Sequence, residues 1–318
     1  MKQIEEVLEN FGLWLTKFSP NLAYPVYFCF MLIRMFPLKE FDQKISYKML
    51  FDRRRFLYQT ADKFEAKKFA LSLLGQSGVA QLYAVYNNAF EIKWTELPEE
   101  FVIKVTHGSG GSLVVCNAGK NYTMYLNSDG EFPLEWNVMR VSPKDLRYEV
   151  VERYFNQMLK KTYGWGDPFP FHYEWLYKKI KPRIIIEEYL SVEGNSPIDY
   201  RLFVMDRKVR YIQRDEITVS NHFSTLHNTD WDIVPVKYNY EMTTKQPIAP
   251  LNLKKMIEYS ELLTEGTDFA RVDFYEIGQR LIFGEITHYP RGGRNTFEPR
   301  EFSQVFAEKW KPPIKYRN

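Results

Sequence analysis

The order of apolar and polar residues divides the chain into helical and extended stretches. Residues 1–60 read as mainly helical, and residues 22–33 form an apolar run broken by Pro25 and ended by Arg34. That run falls short of the roughly 20 apolar residues that a bilayer-spanning helix needs. It reads either as a packing helix or as a surface for a membrane or a partner. Asp62-Lys-Phe-Glu65 has the layout of a capping box opening a helix that Gly75 closes. Apolar residues at 101–105 and 112–116 predict two strands joined by a glycine-rich turn. Leu146, Val150, Val151, Tyr154 and Met158 recur at helical spacing, predicting a helix over 144–161 with Gly164 as its stop.

Further strands are predicted at 183–187, 200–205 and 209–213, the last two joined by a tight turn at Asp206-Arg-Lys208. The polar stretch 215–250 carries Pro235, Pro247 and Pro250 and reads as a loop-rich surface near a site. Asn252 caps a predicted helix running to Thr264. A hairpin then joins 269–275 to 281–286. The overall expectation is an α+β fold with antiparallel sheets.

Composition changes this picture little. With 318 residues, 43 basic against 40 acidic and a net charge near +3, the chain has room for two or three subdomains. Its charge gives no electrostatic argument for nucleic acid. Cys29 and Cys116 have neither CxxC spacing nor clustered histidines, which argues against a disulfide framework or zinc site and favours a reducing, cytoplasmic compartment.

The chemistry sits in two stretches far apart in sequence. Lys104-Val-Thr-His-Gly-Ser-Gly-Gly111 carries a lysine at a strand end into a glycine loop, whose backbone N–H groups suit phosphate oxygens. Arg271-Val-Asp273 and Gly284-Glu285-Ile-Thr287 carry two carboxylates that a hairpin sets side by side on one face. Like charges so placed call for a cation, and magnesium travels with nucleotide phosphates. A salt bridge from Asp273 to Arg271 is the structural alternative. There is no Gly-x-Ser-x-Gly elbow, no HExxH, no Walker A loop and no dinucleotide-binding fingerprint. Together the two stretches indicate an ATP-dependent enzyme.

In their order along the chain, Asp62-Lys63, the Lys104 strand with its glycine loop, Ile186-Glu-Glu-Tyr-Leu190, Asp199-Tyr-Arg201, Arg271-Val-Asp273 and Glu285-Ile-Thr287 resemble the ATP-grasp superfamily. Phe41-Asp-Gln-Lys44, Leu97-Pro-Glu-Glu-Phe-Val-Ile-Lys104, His107-Gly-Ser-Gly-Gly111 and Gly284-Glu-Ile-Thr-His-Tyr-Pro290 narrow the resemblance to its TupA-like branch, tied to teichuronopeptide biosynthesis. The resemblance spans residues 35–300. It implies two α+β lobes sandwiching ATP, residues 61–190 and 191–318, behind an N-terminal helical region of residues 1–60.

The resemblance also implies roles for single residues. Lys63 and Lys104 neutralise phosphate charge, and His107, Gly108, Ser109, Gly110 and Gly111 form a lid over it. Glu187, with Glu188 as rival, and the backbone of Tyr189 and Leu190 read adenine, while Asp199 binds the ribose hydroxyls. Arg201 and Arg214 face the γ-phosphate or an acyl phosphate, unless they are surface strand charges. Asp273 and Glu285 hold Mg2+, with Thr287 where the wider superfamily usually has asparagine. Arg291, in Arg291-Gly-Gly-Arg294, faces the substrate carboxylate. The expected activity joins a small-molecule or glycan carboxylate to an amine, in a cell-surface polysaccharide pathway. The aromatic residues 22–36 are the candidate contact with a membrane face or a biosynthetic complex. A phosphotransferase acting on a hydroxyl and a non-catalytic role stay open as alternatives.

Overall fold

A computed structural model describes residues 28–135, 137–163, 174–217 and 222–317, together with Val7, Phe11 and Trp14. Two sheets dominate it. The first has five strands: β1 (Leu82–Tyr86), β2 (Phe101–Val105), β3 (Ser112–Lys120), β4 (Val138–Val141) and β5 (Ile184–Glu188), in the order β1-β5-β2-β3-β4. The second has seven: β6 (Asp199–Met205), β7 (Lys208–Ile217), β8 (His222–His227), β9 (Ile233–Tyr238), β10 (Phe269–Ile277), β11 (Arg280–Thr287) and β12 (Phe297–Glu298), in the order β11-β10-β6-β7-β8-β9-β12.

Three expectations need correction. The first sheet is mixed, because β4 runs parallel to β3. The stretch 215–250 is not only loop: among its described residues it completes β7 and supplies β8 and β9, with loop over most of the remainder. Pro235 sits inside β9 without a ladder partner, between the Thr225–Lys237 and His227–Ile233 pairs where the register shifts, and an irregular ladder is where a residue lacking an N–H fits. The predicted helix over 144–161 is shorter, a 3₁₀ turn at Pro143–Asp145 followed by α4 (Tyr148–Met158).

The helices before the first sheet form for local reasons. In α1 (Phe41–Phe51) the Glu40 and Gln43 side chains cap each other's backbone N–H groups. Its Phe41, Ile45 and Met49, one turn apart, join one core with Phe203 and Phe269 of the seven-stranded sheet and with Trp310, which follows α6 (Phe302–Glu308). After α2 (Arg55–Ala61), the Asp62 carboxylate accepts from the N–H groups of Phe64 and Glu65 to open α3 (Lys63–Leu74), and Gly75, at φ 76°, closes it. Glu65 turns outward to Lys68 and Arg183 instead of completing the box.

Phe30, Met31 and Met35 are buried in the same core, whereas Phe28, Ile33 and Phe36 are exposed. Residues 22–27, the rest of the proposed contact segment, lie outside the described residues. Among the described residues no helix is long and apolar enough to cross a membrane.

The faces of the large sheet decide where chemistry can occur. One face is apolar and carries Tyr200, Leu202, Ile212, Val272 and Phe274 under α3 and α5 (Leu253–Leu263). The other face is apolar only at one end, where Phe203, Met205, Tyr211 and Phe269 pack in the core around α1 and α6. Along the same strands, at alternate positions, it then becomes charged.

Candidate active site

Register assigns the charged face residue by residue. Asp273 pairs with Glu285 on one side and Arg201 on the other, and Arg271 pairs with Thr287. Arg201 pairs in turn with Gln213, and Asp199 with Asp215. Cross-strand partners share a face, so four strands set Asp199, Asp215, Asp273 and Glu285 around Arg201 and Arg271. The hairpin expected to carry Asp273 and Glu285 exists, with the two carboxylates directly opposite.

Arg201 donates to Asp199 at 2.8 Å and lies 2.7 Å from Asp215. Arg271 grips both oxygens of Asp273, at 2.7 and 2.5 Å, and its Nη2 reaches Thr287 Oγ1 at 3.2 Å. The Thr287 hydroxyl donates to Glu285 at 2.9 Å. Burial raises the Asp273 carboxyl to about 7 even against Arg271, with Asp199 and Glu285 adding to the rise. Burial also raises Asp199, whose Oδ1 is buried without a hydrogen-bond partner. Lys63 and Arg271 hold Glu285 below its usual value against burial. The face therefore sets four carboxylates around two arginines, with Lys63 alone adding positive charge beside Glu285.

Two clefts open on this face. The first, about 400 Å³, lies between the sheets and is lined by Val102, Lys104, Val114, Arg140, Glu187–Leu190, Asp199, Arg201, Asp215 and Tyr275. The second, about 470 Å³, is lined by Lys63, Ser109, Tyr163, Glu174, Tyr177, Arg201, Arg271, Glu285, Thr287, Tyr289, Arg291 and Arg294. Arg201 lines both.

Most of the sequence-predicted residues come together here, in arrangements the sequence did not specify. Lys104 lies in the first cleft, ion-paired to Glu187, and Lys67 of α3 holds the other Glu187 oxygen at 2.5 Å. Those lysines pull the Glu187 carboxyl down to about 2 although burial alone would raise it. Glu188 accepts from Arg280 at 2.8 Å and from the Gln81 N–H at 3.0 Å. Both glutamate side chains are thus engaged within the protein, and the backbone of Tyr189 and Leu190 is the part of this edge open to a ligand. Lys63 lies in the second cleft and donates to the Gly108 carbonyl.

The glycine loop closes the β2–β3 hairpin, in which Lys104 pairs with Ser112, and Gly110 and Gly111 adopt φ of 72° and 63°. Ser109 faces the second cleft. His107 turns away from both clefts: it is buried, with Nε2 2.9 Å from the Lys161 carbonyl. Arg291 adopts φ 50°, strained for a residue with a side chain, and its guanidinium meets the Tyr240 hydroxyl at 3.3 Å and the Tyr240 ring.

Arg214 requires a correction. It pairs with Tyr200, not with Arg201, so it lies on the opposite face and binds Glu216 at 2.6 Å. Period-two alternation in Gln213-Arg-Asp215 and Asp273-Phe-Tyr275 signals Asp215 and Tyr275 as the residues that do reach the cleft. Arg140, which also lines the first cleft and meets the Tyr189 hydroxyl at 3.3 Å, lies far from the motifs in sequence and had no such signal. Lys67, one turn beyond Lys63 on α3, carried nothing in its sequence context to mark it as the partner of Glu187.

Among the described residues no group of three or more His, Cys, Asp or Glu side chains is arranged to hold a metal ion. Magnesium, however, is commonly bound through one or two carboxylates plus substrate phosphates. The opposed Asp273 and Glu285 and the four carboxylates set around two arginines fit such a cation, with Arg271 as the counter-ion it would displace.

A family model described as TupA-like ATPgrasp matches residues 43–311. No curated protein is similar enough to the chain to count as a relative. Among solved structures, D-alanine–D-alanine ligase from Bacillus anthracis complexed with ATP aligns at 13% identity and TM-score 0.36, over 73% of this chain and 55% of that one. The ATP-grasp ligase PsnB complexed with a minimal precursor aligns at 12% identity and TM-score 0.36, over 83% and 60%. N5-carboxyaminoimidazole ribonucleotide synthetase from Thermus thermophilus aligns at 11% identity and TM-score 0.35, over 72% and 45%. The chain spans about half to three fifths of the length of these structures, and superpositions this loose transfer no individual site.

Proposed function

The chain belongs to the TupA-like ATP-grasp family, and from that premise we propose that it is an ATP-dependent ligase joining a carboxylate to an amine. The observation that carries the reading is the pair of clefts meeting at Arg201 over one charged sheet face. One cleft suits a nucleotide and the other an acid, and their junction is where phosphoryl transfer would occur.

In this reading adenine lies between Val102 and Val114 against the Tyr189–Leu190 backbone, and the free Asp199 oxygen accepts from a ribose hydroxyl. Lys104 and the Gly108–Gly111 N–H groups face the phosphates, joined by Lys63 from the second cleft. Magnesium, held by Asp273 and Glu285 with Thr287 alongside, would neutralise charge on the phosphates when bound. Arg291 orients the substrate carboxylate from the far end of the second cleft. A carboxylate oxygen attacks the γ-phosphorus and the bond to the β-phosphate oxygen breaks, releasing ADP and leaving an acyl phosphate. Arg201 and Arg271 stabilise the charge spread over the transferred group. The amine then attacks the acyl carbon, and phosphate leaves as the amide forms. The resemblance to the branch tied to teichuronopeptide biosynthesis is what suggests the acid: a uronic acid of a cell-surface polysaccharide, with amino acids or amino alcohols as amines. Residues 61–190 and 191–318 would be the two lobes acting on it.

Phosphate release from ATP against a panel of uronic acids and amines tests this. Release that needs both an acid and an amine, and that Asp273→Asn abolishes, is the expected result. Transfer of phosphate to a sugar hydroxyl without phosphate release would overturn the ligase reading in favour of a kinase.

A further inference from the structure

The two lysines on Glu187 differ in what they can reach. Lys104 lines the nucleotide cleft, whereas Lys67, on the second turn of α3, does not. Lys67 is 9% exposed; its Nζ donates to the Ala80 carbonyl at 2.9 Å and meets Glu187 Oε2 at 2.5 Å. Glu187 is 7% exposed, and its other oxygen is taken by Lys104. One buried carboxylate is thus shared between a lysine facing the cleft and a fixed lysine behind it.

That arrangement matters for a lysine expected to serve phosphates. Drawing Lys104 toward a nucleotide removes one counter-ion from Glu187, and a buried carboxylate left with none is strongly disfavoured. With Lys67 in place the carboxylate is never stranded, so Lys104 can change partners at little cost. We propose that Lys67 is a positioning residue for nucleotide binding: it keeps Glu187 paired when Lys104 leaves it for the phosphates. This rests on the nucleotide reading above but assigns a role to a residue that touches no ligand. Lys67 acts only through Glu187, so its effect must vanish when the carboxylate does.

The test is a double-mutant cycle read by calorimetric titration of ADP with magnesium into the full chain. Lys67→Met is expected to weaken ADP binding about tenfold in the wild-type background. In the Glu187→Gln background the same change is expected to weaken it no more than about twofold, and Lys67→Arg is expected to restore most of the affinity. An equal loss in both backgrounds, or none in either, overturns the inference. Should Lys67→Met fail to fold, a crystal structure of the wild-type ADP complex decides it. Lys67 still on Glu187 with Lys104 moved to phosphate supports the role, and Lys104 still on Glu187 overturns it. Failure of the wild type to bind ADP would overturn the nucleotide reading itself; binding with Lys67→Met unaffected would overturn this inference alone.

Discussion

At the scale of single residues, the buried acids beside the clefts ionise unequally. Glu187 is held ionised by Lys104 and Lys67, while Asp273 is pushed toward neutrality by burial among other carboxylates. The Glu187 case has a definite sign. Its folded value of about 2 lies below the ordinary 4.5, so the stabilisation it gives is complete above 4.5 and is lost as pH falls from there toward 2. Glu187→Gln is therefore expected to flatten the acid limb of stability over that window, measured by denaturant unfolding at a series of pH values. An unchanged slope would mean that other carboxylates carry the acid sensitivity. The sequence marked Glu187 through its Ile-Glu-Glu-Tyr-Leu string. It could not reveal that Lys67 holds the carboxylate, because that contact joins a helix to a strand about 120 residues away.

At the scale of elements, strand register separates residues that look equivalent in sequence. Arg201 and Arg214 both sit on predicted neighbouring strands, yet the observed pairing of Arg201 with Gln213 sends Arg214 to the other face. One residue of register exchanges the faces of a strand, and neither hydrophobicity nor turn length settled that offset here. Arg201→Ala should abolish turnover, while Arg214→Ala should leave kcat within about threefold and lower stability by about 1–2 kcal/mol, since it breaks one half-buried ion pair. Steady-state kinetics beside thermal melts separate the two, and equal losses of activity would contradict the register. The β10–β11 hairpin was legible because its alternation and turn are local. β8 and β9 were not, because Pro235 and the polar residues between 215 and 250 mask a ladder whose partners are set by the sheet.

At the scale of the whole molecule, a second set of buried charges ties α1 and the residues after it to Asp268, just before β10, and to the stretch that follows α6, away from both clefts. Lys48 of α1, with no exposed side-chain surface, meets Asp52 at 2.7 Å and Asp268 at 2.9 Å; Arg54 joins the same two acids, and Trp310 and Tyr316 donate to Asp268. Removing one partner from such a network leaves buried carboxylates short of a counter-ion, a cost of about 3–5 kcal/mol. Lys48→Met should lower the melting temperature by roughly 5–10 °C while leaving KM of the folded enzyme unchanged. A shifted KM would mean that the network also shapes the clefts. None of this was visible in sequence, where nothing in Phe51-Asp-Arg-Arg-Arg-Phe56 marks Asp52 and Arg54 as members of a buried network. The motif-bearing strands announced themselves by residue type and order, whereas the scaffold that aligns them depends on contacts such as Lys48 to Asp268, between residues far apart in the chain.

The central claim is that an acid in the second cleft takes the γ-phosphoryl group from ATP in the first. The most direct measurement supplies the acid that supports turnover with 18O in its carboxylate, and reads the isotope in the released phosphate. The mechanism transfers one carboxylate oxygen to phosphate, so singly labelled phosphate is predicted in step with amide formation. Unlabelled phosphate, released while the amide still forms, would contradict it.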